Sequence, residues 1–124
     1  MASRSETPLR HKEDMALERI LRAEFNDPDA TKRDVILFIG RFKRNWYSLV
    51  FNMVYQKRFC KNQEAAEDLL WQLADDGIII ITDPKNRAGK PSRASRPTTE
   101  ARIELTGEAE RAQREFRRAL SLRV

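Results

Sequence analysis

Six cations, Lys85, Arg87, Lys90, Arg93, Arg96 and Arg102, fall between Asp83 and Ile103, where Glu100 is the one acid. Side chains of this kind on a loop rich in Pro, Ser and Gly neutralise phosphates or enter a narrow groove lined by them. Each such contact releases counterions, so the binding weakens with salt. A second basic block runs from Val35 to Gln63 without an acid and carries Arg41, Lys43, Arg44, Lys57, Arg58 and Lys61, with Asn62 and Gln63 adding amides at its end. The loop also reads as an ordinary solvated segment kept open by self-repulsion, and the turn from Lys57 to Lys61 as a partner for carboxylates of a neighbouring molecule.

Opposite in sign is the stretch from Gln63 to Asp76, which has no Lys or Arg and presents Glu64, Glu67, Asp68 and Asp75 at helical spacing, with Asp76 at its end. Carboxylates facing phosphates would be repelled several at a time, so this face suits solvent or a basic protein. Trp71 lies beside its apolar row, as a partner contact or a lid over the first helix. Trp46, Tyr47, Phe51, Tyr55 and Phe59, interleaved with basic residues, offer stacking surfaces for single strands, but their three- and four-residue spacing assigns them to the core.

Catalysis and metal binding find little to work with. Cys60 is the only cysteine and His11 the only histidine. That excludes an intramolecular disulfide, a Cys/His zinc site and a Ser/His/Asp or Cys/His set built around a positioned imidazole, since His11 sits in a polar leader. The few glycines are scattered, so no phosphate-cradling loop is present, and no cofactor is expected. Cys60 beside Arg58 and Lys61 reads either as a thiol of lowered pKa or, more simply, as a small residue buried at a junction. The reading is a binding protein, not an enzyme.

Length and hydropathy frame the elements that must position these groups. A chain of 124 residues with 40% hydrophobic content suits one domain, and its formal charge of +5 favours an anionic partner. The opening residues lack the apolar segment of a signal peptide and the run VILFIG is too short for a bilayer, so the expected compartment is the cytoplasm, or the nucleoid in a bacterium. Residues 1–13 read as a flexible polar leader and 14–124 as the domain.

Met15, Leu17, Ile20, Leu21 and Phe25 mark an amphipathic leading helix. Asp29 or Thr31 caps the next one, with Val35, Ile36, Phe38, Ile39 and Phe42 inward. From Trp46 to Tyr55 the chain is apolar nearly all round and predicts a deeply buried helix; the stretch from Thr31 to Tyr55 reads as two helices or one bent one. After a basic turn, Asn62 caps a helix with Ala66, Leu69, Leu70 and Leu73 inward, ended by Gly77. Ile78–Thr82 and Arg102–Thr106 predict a hairpin whose long loop spans about 84–101 and has a mobile tip. Thr106 caps a last helix, about 107–122, with Ala109, Ala112, Phe116, Ala119 and Leu120 on one side.

The pairing of Leu70, Leu73, Gly77 and Ile78 with a later Leu105-Thr106-Gly107 resembles the winged helix-turn-helix superfamily, closest in pattern to small bacterial regulators of the MarR and PadR type. The resemblance covers roughly residues 31–122. It implies a mainly α fold with a small β-hairpin (α+β), flanked by an extra N-terminal and a C-terminal helix. Also implied are double-stranded DNA as partner, transcription regulation or an accessory role on a plasmid, phage or chromosome, and dimerisation through the N- and C-terminal helices. The family commonly lays its third helix in the major groove. Here that helix is the acidic one, so the wing and the basic helix-turn-helix residues become the expected DNA contacts. A protein-interaction adaptor docking through the acidic helix, and an RNA-binding module, are the alternatives.

Overall fold

The structure is a computed structural model that describes residues 16–24, 26–86, 91–93 and 96–123. The leader 1–13, Met15, Phe25, Arg87, Lys90 and the loop tip therefore lie outside the described residues. Those described form five helices and a three-stranded antiparallel sheet, an α+β arrangement. None of these helices is long and apolar enough to cross a membrane.

The leading helix α1 covers 16–21 and buries Leu17, Ile20 and Leu21. Helix α2, Ala30–Ile39, buries Ala30, Val35, Ile36 and Ile39. Asp29 occupies its N-cap but does not cap it, because its backbone is already helical and its carboxylate takes the Arg19 guanidinium at 3.1 Å. Gly40 then turns the chain sharply at φ 57°, ψ −136°, a conformation that a β-carbon disfavours. The stretch from Thr31 to Tyr55 is thus two helices. Phe42, expected on the inner face of α2, lies past its end and is exposed.

Strand β1 is only Arg44–Asn45, and Asn45 also caps helix α3, Trp46–Phe51, by accepting from the Ser48 N–H at 3.1 Å. The helix continues as a π turn over Asn52–Gln56, closed by the Lys57 N–H on the Asn52 carbonyl at 2.8 Å. Trp46, Leu49, Val50, Met53 and Val54 are buried. The opposite side is not, which corrects the expectation of a helix buried all round: Tyr47, Phe51 and Tyr55 face solvent.

Helix α4, Gln63–Asp75, is bounded as its sequence predicts. Asn62 accepts from the Ala65 N–H at 2.8 Å, and Gly77 and Ile78 donate back to Ala74 and Leu73, the pattern a left-handed glycine cap produces. Ala66, Leu70 and Leu73 are buried, while Leu69 is half-buried. Each leucine gains roughly 1.5–3 kcal/mol on full burial. Trp46 meets Trp71 at a ring separation of 5.3 Å. Trp71 therefore roofs α3, the helix behind it.

Strand β2, Ile79–Thr82, pairs antiparallel with β3, Arg102–Leu105, in the register Ile79 with Leu105 and Thr82 with Arg102. On its other side β3 pairs with β1, Arg44 against Ile103, so the sheet order is β1-β3-β2 rather than a lone hairpin. Ile79, Ile81, Ile103 and Leu105 point inward. Helix α5, Gly107–Arg123, is capped by Thr106, whose hydroxyl accepts from the Ala109 N–H at 3.4 Å. Ala109 is buried and Phe116 half-buried, but Ala119, Leu120 and Leu122 are exposed, so the expected apolar face finds no cover in its last turns among the described residues. Arg117 ties α5 to α2 by donating to the Leu37 carbonyl.

Candidate functional site

The two basic blocks end up in different electrostatic company. In the first, the turn after α2 and the turn after α3 converge on one half-buried ring: the Arg44 guanidinium lies 4.4 Å from the centroid of Phe38 and the Lys57 ammonium 5.4 Å from it. Phe59 packs edge-on against the same ring at 6.2 Å. Arg44 is anchored further by donating to the Phe38 carbonyl at 2.6 Å and the Ile39 carbonyl at 3.4 Å, which satisfies the exposed carbonyls at the end of α2. Burial lowers its pKa, yet so strong a base keeps its proton. Arg41 lies over Phe42 at 5.4 Å, and Arg44 reaches that ring too, at 6.0 Å.

Arg41, Lys43, Arg44, Lys57, Arg58 and Lys61 have no carboxylate within ion-pair distance among the described residues. Cations over aromatic faces are held in place without being neutralised. Arg58 adds a backbone feature, a φ of 55°, which costs a side chain other than glycine roughly 1–2 kcal/mol. Asn62 and Gln63 are occupied with α4 itself, Asn62 as its cap and Gln63 by donating to Glu67 at 3.3 Å.

In the loop between β2 and β3, the expected wing, the outcome is different. Arg93 donates to Asp68 at 2.8 Å and to Asp75 at 3.3 Å, and Arg96 donates to both oxygens of Glu67 at 3.3 Å. The acidic row of α4 is thus occupied by the chain's own arginines, two of the cations expected to reach outward. The Arg93 guanidinium, with the Gln72 amide, holds the Asp68 carboxyl below its ordinary pKa, and Asp68 and Asp75 raise that of Arg93 in return. All of these groups except Glu67 are at least half exposed, so each pair contributes little stability. Of the other described wing cations, Lys85 and Arg102 have no ion pair among the described residues, though Arg102 donates to the Ala101 carbonyl at 3.3 Å. Glu64 remains exposed at the start of α4.

One positioning residue was not evident in the sequence. Asp83, fully buried where β2 ends, accepts from the Thr98 N–H at 2.7 Å, the Thr98 hydroxyl at 2.5 Å and the Lys85 N–H at 3.1 Å. Desolvation pushes its pKa up, but these three donors outweigh it and hold the carboxyl below its usual value. It clasps the stem of the wing from both sides. The local signal was an Asp-Pro after a strand, where an Asp side chain bonds the backbone two residues on.

Of the two readings of Cys60, the geometry favours the simpler one. It is half-buried and burial pushes its thiol pKa up, so the neighbouring cations do not make it a thiolate. Comparison with known proteins brings no relative to this geometry: no family model, no curated protein sequence and no solved structure matches the chain.

Proposed function

We propose that this chain is a winged-helix protein that binds double-stranded DNA by its phosphates, with the cations around Phe38, none of them in an ion pair among the described residues, as the principal contact. The observation that carries this reading is the convergence of Arg44 and Lys57 on that ring, within a segment from Val35 to Gln63 that contains no acid. Unneutralised, preorganised cations are what phosphate binding needs. Supporting the winged-helix assignment is the element order: α2, α3, turn, α4, β2, basic loop, β3 and α5 follow the arrangement the sequence resembles. The wing joins once Arg93 and Arg96 exchange α4 carboxylates for phosphates, a low-cost exchange for exposed pairs. A regulator or accessory factor acting on cytoplasmic or nucleoid DNA fits such a protein.

Dimerisation belongs to the same proposal. A groove of about 570 Å³ between α1 and α5 is lined by Leu17, Leu21, Ala112 and Phe116, and beyond it Leu122 is 82% exposed. A second copy's α5 would cover both. The α4 row favours one competing reading, an adaptor that binds arginine-rich peptides, because that row already accommodates two guanidinium groups.

Fluorescence anisotropy with labelled duplex DNA and duplex RNA across a salt series tests the proposal. A log–log salt slope of about −4 or steeper on DNA is expected, four or more phosphates being engaged. Absence of binding to any nucleic acid at low salt, alongside capture of a basic peptide, would replace it with the adaptor.

A further inference from the structure

We infer that the solvent face of α3 and its π turn stacks unpaired bases, so that the nucleic acid this chain holds best is single-stranded or carries a single-stranded segment. The inference rests on the phosphate-binding reading above and goes beyond it by adding a single-stranded segment to the ligand. Phe51 is 54% exposed and Tyr55 65%, with ring centroids 5.0 Å apart and planes tilted by 46°. They are not overflow from the core, because α3 has a complete inward stripe in Trp46, Leu49, Val50, Met53 and Val54. Tyr47, one turn earlier on the same side, is fixed by donating its hydroxyl to the Pro97 carbonyl at 2.6 Å. Residues 47, 51 and 55 thus form an aromatic row that starts at the wing stem.

Further observations fall on the same spot. The π turn over Asn52–Gln56 starts directly after Phe51 and contains Tyr55, and a wide turn of this kind recurs at functional sites. It ends at Lys57, next to the left-handed Arg58, where backbone strain is held at an exposed cation. The company of the rings selects the ligand. Ser48 and Gln56 are exposed beside them and Asn52 is partly buried, while Leu49, Val50, Met53 and Val54 are all buried. Planar rings give faces to bases, amides and a hydroxyl give partners to base edges, and unopposed cations take the phosphates. A docking face for a protein would extend into exposed aliphatic neighbours, and the segment from Trp46 to Gln56 has none.

The test compares a labelled oligothymidylate with a duplex of mixed sequence in anisotropy titrations of the full chain. Tighter binding of the single strand is expected. Phe51→Ala and Tyr55→Ala should each weaken it about tenfold, the size of a lost base stack, and leave duplex affinity within about twofold. Phe51→Trp should retain binding while Phe51→Leu, which keeps apolar area without a ring face, should not; thermal melts confirm that these surface variants fold. Duplex binding that exceeds single-strand binding and ignores both rings overturns the inference and leaves the DNA reading standing. Failure to bind either probe removes both. Equal tolerance of Leu and Trp assigns the face to a protein and overturns it too.

Discussion

The turn regions around Phe38 and the wing carry similar numbers of cations, yet the fold treats them oppositely. Around Phe38, aromatic rings hold Arg44 and Lys57 in place and their charge stays available. On the wing, carboxylates of α4 hold Arg93 and Arg96, and the charge is spent locally. Position and neutralisation are therefore separable: a ring orders a cation and leaves its field intact, whereas a carboxylate orders it by cancelling that field. The sequence-level preference for the wing as the leading contact counted charges and could not see their partners.

Replacing Arg41, Lys43, Lys57 and Arg58 by Ala together should have the largest effect. Duplex affinity at low salt should fall by more than about a hundredfold and the salt slope become shallower by about 3 to 4, as four lost phosphate contacts require. If affinity survives while the slope barely changes, the wing is the dominant contact and the comparison reverses. The opposite manipulation, Glu67→Gln with Asp68→Asn and Asp75→Asn, frees the wing arginines. An affinity gain of about tenfold and a steeper slope are expected in the same titrations, from three lost repulsions and two released cations. Loss of binding would instead place nucleic acid on α4.

A smaller effect, on stability, tests the wing's stem. Asp83→Asn keeps one acceptor and loses the charge, so the melting temperature at neutral pH should drop by several degrees with the sheet intact by circular dichroism. The sign of the pH dependence follows from the lowered pKa. The contribution of Asp83 is complete above the ordinary carboxylate value of about 3.9 and is lost as pH falls through its lower folded value. The wild type should therefore lose melting temperature below about pH 4 more steeply than the variant. Asp68 titrates in the same sense, so acid also loosens the hold of α4 on Arg93.

What could be read in advance was local. The Asn62 cap, the Gly77 stop and the Thr106 cap each follow from a few adjacent residues, and the pairing of β2 with β3 from two strand-forming runs joined by one loop. Strand β1 was not legible because two residues cannot show an alternation. The exposed row of Tyr47, Phe51 and Tyr55 escaped for a different reason: period shows which residues share a face of a helix, not which face turns inward. The partners of Arg93 and Arg96 lie 18 to 29 residues away in sequence and depend on how the wing folds back over α4. Phe38, assigned to the core, proved to be a half-buried platform for two cations.

Thr98 meets Asp83 with both its backbone and its hydroxyl, across an interval of 15 residues. The end of β2 and the returning chain are thereby locked together at one buried carboxylate. Substitutions at the exposed Arg93 and Arg96 leave that lock in place, whereas Pro91 and Pro97 are buried and belong to the packing. Charge on the outside of the loop can therefore be altered without loosening its base.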